Sequence, residues 1–419
     1  MCTVWRALRE RRSLLKENVL KKVPVGVELG DNELLTLIEE EIQGMQQDGY
    51  LRLEEKKQLR HMVFNALRRM DVLQDLLDDE EVTEIMVNGS DHIFVEKEGR
   101  LTETGYRFEN RQRLEDIAQQ IASSGNRIVN ESNPILDARL EDGSRVNIVV
   151  PPIAIEGPVI TIRKFPKEAM TMEKLIRIGA VTGEVDEFLR KLVQAKYNIF
   201  ISGGTGAGKT TFLNILSNYI PSTERVITIE DSAELQIQNI QNLVRLEARN
   251  ANVEGKNQVT IRDLVKSALR MRPDRIIVGE IRDTAAIDLL TAMNTGHDGS
   301  LSTGHANSPA DMLNRLETLI LMGLDIPLAA IRQQIASGID IVVHLGRLRD
   351  KSRKVLEVSE VGDVVNGKIC LRPLYRFCER GERNGKVIGR LEKTDRELQS
   401  VEKCQRAGID LTSGEMRGT

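Results

Sequence analysis

Gly203-Gly204-Thr205-Gly206-Ala207-Gly208-Lys209-Thr210 follows directly on the apolar run Asn198-Ile199-Phe200-Ile201, and this junction decides the fold class. Four glycines within six positions let the backbone turn through positive φ and aim successive N–H groups inward. The loop thereby forms an anion nest at the start of the helix Thr211-Phe212-Leu213-Asn214-Ile215-Leu216, whose dipole favours the anion. In a P-loop of this pattern the lysine, Lys209, reaches the β- and γ-phosphates and Thr210 ligates Mg²⁺. The expectation is an α/β nucleoside triphosphatase in which Gly203, Gly204, Thr205, Gly206, Ala207, Gly208, Lys209, Thr210 and Thr211 hold the nucleotide.

Beyond the loop the second half of the chain alternates strand and helix, as a parallel sheet with crossover helices requires. Arg225-Val226-Ile227-Thr228-Ile229 reads as a buried strand closed by Glu230-Asp231. A helix over Ile261–Met271 precedes a second such strand, Arg275-Ile276-Ile277-Val278-Gly279-Glu280. Carboxylates at strand C-termini face the ligand crevice of an open α/β sheet, so Glu280 fits the Walker B role, serving the Mg²⁺ shell or a water opposite the phosphates. Glu230 is the candidate for orienting the attacking water, on the reading that its strand neighbours the P-loop strand, with a capping acid as the alternative. Spacing leaves open which glutamate polarises water and which serves the metal. The stretch Gly296–Asn307 sets His297 and His305 eight apart among glycines and hydroxyls, as suits a loop that feels the γ-phosphate. Histidines bonded to backbone in an ordinary polar loop are the alternative, and zinc lacks further ligands there.

At 419 residues the chain exceeds what one core usually fills, so two or three domains are expected, and 40% apolar residues suffice to build them. A net charge of −4, from 59 basic and 63 acidic residues, argues against a dedicated polyanion binder. No run of 18 apolar residues occurs and Trp5-Arg6-Ala7-Leu8-Arg9-Glu10-Arg11-Arg12 lacks a signal-peptide core, so a soluble, cytosolic protein is expected. Cys2, Cys370, Cys378 and Cys404 show no CxxC spacing and read as reduced thiols. Residues 1–68 read as a charged helical extension, with Leu59, Met62, Val63, Ala66, Leu67 and Met70 at helical spacing. Residues 69–166 read as a small α+β domain. Its signals are a hairpin of Glu84–Val87 and His92–Glu96 about Asn88-Gly89, a helix marked by Leu114, Ile117, Ala118 and Ile121, and strands over 145–150 and 159–163. Prolines 151, 152, 158 and 166 punctuate its end; 167–180 reads as a linker, 181–375 as the nucleotide domain, and 376–419 as a tail of open role.

Taken in chain order, the P-loop Gly203–Thr210, the acidic box Ile229-Glu230-Asp231-Ser232-Ala233-Glu234-Leu235, the Walker B segment Leu269–Asp283 and the histidine box Gly296–Pro309 resemble the type II/type IV secretion and pilus ATPases. The resemblance covers roughly residues 70–375 and implies a RecA-like P-loop domain preceded by a small PAS-like α+β domain, assembled as a homo-hexamer. Arg245-Leu246-Glu247-Ala248-Arg249, Asn252-Val253-Glu254-Gly255-Lys256, Gly143–Asn147 and Ile160–Phe165 are similar to the CpaF branch, which powers tight-adherence (Tad/Flp) pili. By the same resemblance Arg139, Arg145 and Arg163 line the nucleotide cleft, where guanidinium groups offset charge on the transferred phosphoryl group, and Arg270 and Arg272 are candidate ligands between subunits.

The P-loop and its acidic partners imply ATP and Mg²⁺ as ligands, and the resemblance implies ATP hydrolysis coupled to mechanical work at the inner face of the cytoplasmic membrane. By that resemblance polytopic inner-membrane platform proteins would be the direct partners and pilin subunits the indirect ones. A type IV secretion traffic ATPase moving protein or DNA is the alternative. A nucleic-acid translocase is disfavoured by the acidic balance and by an aromatic content of only 3%, which leaves few stacking platforms.

Overall fold

The computed structural model describes residues 2–23, 26, 29–45, 51–97, 99–125, 127–165, 170–249 and 256–411. Pro166 and the Asn252–Gly255 part of the branch motif lie outside them. Contacts divide the chain into two units, Met1–Lys167 and Glu168–Thr419.

The first unit opens with three helices, α1 (Cys2–Lys22), α2 (Asp31–Gly44) and α3 (Leu53–Arg68). Their apolar stripes bury Leu15, Val19, Leu34, Ile38, Leu59 and Val63 together, as residues recurring on one helical face must. A short α4 (Leu73–Asp78) leads into β1 (Val82–Asn88), β2 (His92–Lys97), β3 (Arg100–Glu103), α5 (Arg111–Ser124), β4 (Ile135–Arg139), β5 (Arg145–Val149) and β6 (Val159–Arg163). The six strands form an antiparallel sheet in the order β3-β2-β1-β6-β5-β4. Asn110 caps α5 by accepting from Arg113 N–H at 2.8 Å, and Leu114, Ile117, Ala118 and Ile121 of that helix share a core with Ile85, Val87, Val146, Ile148, Ile160 and Ile162. The period-2 alternation of β5 and β6 therefore turns Arg145, Asn147, Thr161 and Arg163 to the opposite face.

The second unit begins with α6 (Met172–Arg177), inside the stretch read as a linker, and α7 (Gly183–Gln194). Strands and helices then alternate: β7 (Ile199–Gly203), α8 (Lys209–Ser217), β8 (Arg225–Glu230), β9 (Asn242–Glu247), α9 (Ile261–Ala268), β10 (Arg275–Val278), α10 (Ala285–Asn294), β11 (Leu301–His305), α11 (Pro309–Leu321), α12 (Leu328–Gly338) and β12 (Ile341–Arg347). The chain closes with β13 (Arg353–Val365), β14 (Lys368–Arg383), β15 (Lys386–Lys393) and α13 (Glu402–Ala407). One nine-stranded sheet results, ordered β15-β14-β13-β12-β7-β11-β10-β8-β9, parallel from β12 to β9 and antiparallel from β12 outward to β15. Every residue of β7 and β10 is buried, as strands covered on both faces must be. α7 and α8 pack with Ile199 and Ile201 on one face, and α9, α10, α11 and α12 with Phe200 and Val342 on the other.

The stretch 376–411 completes β14, adds β15 and folds back as a strap. Glu360, itself fully buried, accepts the N–H groups of Gln399 and Ser400, while Leu398, Cys404, Ile409 and Leu411 pack into the core of α7 and α8. The sequence gives no reading of it because β14 and β15 are mostly exposed, so their apolar pattern is weak. Among the described residues no helix is long and apolar enough to cross a membrane.

Candidate functional site

Strand order dictates the site. In the sequence β7-β11-β10-β8 the four C-terminal ends stand side by side, about 4.8 Å from strand to strand, and each delivers one polar group. Lys209 follows β7 as the first residue of α8, His305 ends β11, Glu280 stands two residues past β10, and Glu230 ends β8.

The loop after β7 takes its shape from glycine. Gly206 and Gly208 stand at φ +70° and +95°, and a Cβ at Gly203 would meet the Leu345 carbonyl oxygen at 2.4 Å. At Gly204 a Cβ would meet nothing within 4 Å. Gly208 is the N-cap of α8, so Lys209, Thr210 and Thr211 form its first turn, where main-chain N–H groups lack intrahelical acceptors. Lys209 is buried at 7% exposure and donates to the Gly204 carbonyl at 3.1 Å and to His305 Nδ1 at 3.2 Å.

On its other side His305 places Nε2 2.9 Å from Glu280 Oε1, without the alignment of a hydrogen bond, so that Glu280 Oε1 stays a buried oxygen with no hydrogen-bond partner. An ammonium only donates, which makes Nδ1 an acceptor and puts the ring proton on Nε2, facing the carboxylate. Burial, then the charge of Lys209, lowers the His305 pKa and keeps the ring neutral. For Glu280 burial acts upward, but the Arg282 hydrogen bond at 2.8 Å and the charges of Arg282 and Lys209 outweigh it and hold the carboxyl below its ordinary range.

Glu230 is 3% exposed. Its Oε2 accepts from Glu234 N–H at 2.7 Å and Leu235 N–H at 3.0 Å, which folds the acidic box around it, while Oε1 has no hydrogen-bond partner. Burial outweighs those two bonds and raises its pKa. A Cβ at position 279 would stand 3.1 Å from Glu230 Cγ, so Gly279 is what lets the Walker B chain pass beside this carboxylate.

Two expectations need correction. The strand of Glu230 does not neighbour the P-loop strand: β7 lies between β11 and β12, and both β11 and β10 separate it from β8. The histidine box is not one loop either. β11 runs through it, so His305 joins the site while His297, four residues ahead of the strand, stands at the sheet's opposite end. Sequence reasoning also missed Arg282, which bonds Glu280 and lies 3.6 Å from Asp231, although its place two residues after Glu280 was a signal.

Arg139, Arg145 and Arg163 lie in the first unit, at Cα partner positions across β4, β5 and β6, with Glu84 of β1 next in the row. Arg163 Nε lies 3.8 Å from the Glu84 carboxylate. Arg270 and Arg272 flank the turn before β10. Among the described residues no group of three or more His, Cys, Asp and Glu side chains could hold a metal by themselves. The residues do fit Mg²⁺ carried on phosphate: a hydroxyl at Thr210, a carboxylate held ionised at Glu280, and an unsatisfied oxygen on that carboxylate.

Fold and site together define a P-loop ATPase of the RecA-like class. The sequence pattern of the type II/IV secretion system protein family matches residues 67–408, and the chain belongs to that family. It is 35% identical over 295 residues to a Mycobacterium tuberculosis protein named for conjugal transfer, covering 69% of this chain and 83% of that one. It is 32% identical to the type IV secretion system protein PtlH of Bordetella pertussis over 69% of this chain and 93% of the relative. The structure of the ATPase DotB of Legionella pneumophila superposes with a TM-score of 0.50 over 70% of this chain and 80% of that one; at 21% identity this likeness carries the fold alone.

Proposed function

We propose that this chain is a ring-forming motor that hydrolyses Mg²⁺–ATP and converts the cycle into work on a membrane-embedded export machine. The observation that supports it is the line Lys209, His305, Glu280 and Glu230 along adjacent strand ends, with one buried oxygen left over on each glutamate. A buried oxygen without a partner costs free energy unless something else satisfies it. In this reading the P-loop amides and Lys209 bind the phosphates, and Mg²⁺ held by Thr210 and Glu280 would offset charge on the phosphate oxygens. Glu230, whose raised pKa suits a proton acceptor, orients the attacking water through Oε1. Neutral His305 accepts from Lys209 and stands beside Glu280, and so reports on the occupied loop. Arg139, Arg145 and Arg163 supply positive charge toward the transferred phosphoryl group. The functional division follows residues 69–166 and 181–375, coupled through 167–180, with closure and release driven by the different affinity of the two states for nucleotide.

At the finer level the proposal is a homo-hexamer of the CpaF branch, peripheral to the inner face of the cytoplasmic membrane and docked on polytopic platform proteins, driving Tad/Flp pilus assembly. The names of the relatives favour a second reading, a traffic ATPase for type IV secretion or conjugation. Steady-state ATPase of the purified protein tests the core of the proposal: Glu280→Gln hydrolysing at the parental rate would refute it. Gene context separates the finer readings. Prepilin, prepilin-peptidase and paired platform genes alongside this one favour the pilus motor, and channel and coupling-protein genes favour traffic. Strong stimulation by single-stranded DNA would point instead to a translocase.

A further inference from the structure

The P-loop helix holds the acidic box through a side chain that none of the roles above uses. Residues 231–241, between β8 and β9, form neither helix nor strand, so their N–H groups need acceptors from outside a regular ladder. Three successive ones are placed by two side chains. Glu234 and Leu235 donate to Glu230 Oε2 at 2.7 and 3.0 Å, and Gln236 donates to Asn214 Oδ1 at 2.7 Å. A backbone N–H only donates, so the amide of Asn214 must turn its oxygen toward Gln236. Asn214 is half-buried on α8, four residues past Thr210 and therefore one turn further along the same helix face. The next tie from this helix is weaker: Gln238 N–H donates to Asn218 Oδ1 at 3.2 Å. From the other side Arg245 of β9 donates to the Leu235 carbonyl at 3.0 Å. Leu235 and Ile237 share a core with Leu213 and Leu216 of α8. Through the sheet, β11 and β10 separate the P-loop strand from the strand of Glu230, whereas the bond to Asn214 joins the P-loop helix to the box in one step.

We propose that Asn214 is a positioning residue for hydrolysis: its side-chain oxygen pins the acidic box to the P-loop helix and so sets where Glu230 Oε1 stands relative to the phosphates. The inference rests on the ATPase reading. Apolar burial draws the box onto α8 but has no direction, so it leaves the segment free to slide; a hydrogen bond at one atom does not. Because residues 234, 235 and 236 are consecutive, a slip at Gln236 passes at once to the two amides that hold Glu230 Oε2, and turns the carboxylate they grip. Misplacement by about 1 Å costs on the order of a hundredfold in rate.

The test compares Asn214→Leu, which removes the acceptor, with Asn214→Asp, which keeps one toward Gln236 N–H, and with Asn218→Leu, which removes a bond from the same helix to the same segment farther from Glu230. Expected for Asn214→Leu is a fall in kcat of about ten- to a hundredfold with ATP affinity within about threefold of the parent, because the P-loop amides, Lys209 and Thr210 are unchanged. Amide exchange at Glu234–Gln236 is expected to accelerate. Asn214→Asp is expected to recover most of the rate, and Asn218→Leu to lose about threefold or less. Added to Glu230→Gln, Asn214→Leu is expected to cost little more, since both act through one carboxylate. Parental kcat in Asn214→Leu would overturn the inference. So would a loss that adds in full to that of Glu230→Gln, or one that tracks a lowered thermal midpoint and that Asp does not restore. A parent protein without ATPase activity would refute the proposed function, and the exchange measurement would then still decide whether Asn214 holds the box.

Discussion

The two ends of the nine-stranded sheet bury polar groups by opposite rules. At the end where the parallel strands start, Arg275, Asn198 and Asp340 all find partners, although His297 keeps its Nδ1 buried without one. Arg275, fully buried, grips Glu224 through two nitrogens at 2.6 and 3.0 Å and also donates to the Val193 carbonyl. Asn198 donates to the Gly338 carbonyl and accepts from Gly299 and Ser300 N–H, and Asp340 accepts from Asn198 N–H and from Lys403 of the C-terminal strap. At the end where the strands finish, Glu230 and Glu280 are held just as firmly, yet each keeps one oxygen unbonded. Saturated burial fixes the register of β7, β11 and β12. Incomplete burial reserves bonding capacity for a substrate, at the expense of stability.

That contrast is open to experiment. Lys209→Ala should reduce ATP turnover by at least about a thousandfold in a steady-state assay while moving the thermal midpoint little, since the lysine serves the phosphates; a variant that keeps even a tenth of the activity would break the contrast. Arg275→Met at the other end should do the reverse, leaving the half-buried Glu224 with only Lys196, 3.8 Å away, as its counter-charge and costing about 3 kcal/mol by denaturant unfolding. Glu230→Gln should lose about a hundredfold in kcat and melt higher than the parent at neutral pH, because it removes a buried charge while its amide oxygen still accepts from Glu234 and Leu235 N–H. The pH dependence follows from the same group. Its pKa is raised in the folded protein, so the folded state binds this proton first as pH falls: the destabilisation it causes at neutral pH is relieved as pH drops through the folded pKa toward the ordinary glutamate value. Activity should decline over the same interval, with its acid limb above that of an ordinary carboxylate, and an acid limb at the ordinary value would count against Glu230 as the base. Lys403→Met should cost least, about 1 kcal/mol or less, because the side chain is 22% exposed and its ion pairs are screened.

The sequence was legible where backbone chemistry is local. Glycine spacing marked the P-loop, apolar runs marked β7, β8 and β10, and acids at their ends marked Glu230 and Glu280. What could not be read depends on strand order. Nothing between residues 203 and 305 says that β11 and β10 insert between β7 and β8, so Glu230 was expected two strands too close and His297 was grouped with His305. The arginine row is similar: Arg139, Arg145 and Arg163 come together only through antiparallel register, which no local pattern encodes.

The glycines of the P-loop divide into two kinds, and the division separates architecture from hospitality. Alanine at 203 collides with β12, and at 206 or 208 it strains the backbone, so those three positions answer to the protein's own geometry. Alanine at 204 meets no neighbouring atom and needs no left-handed turn. A methyl group there should leave the fold intact and be noticed only by the guest, making Gly204 a place to tune how closely a phosphate approaches without touching the house that receives it.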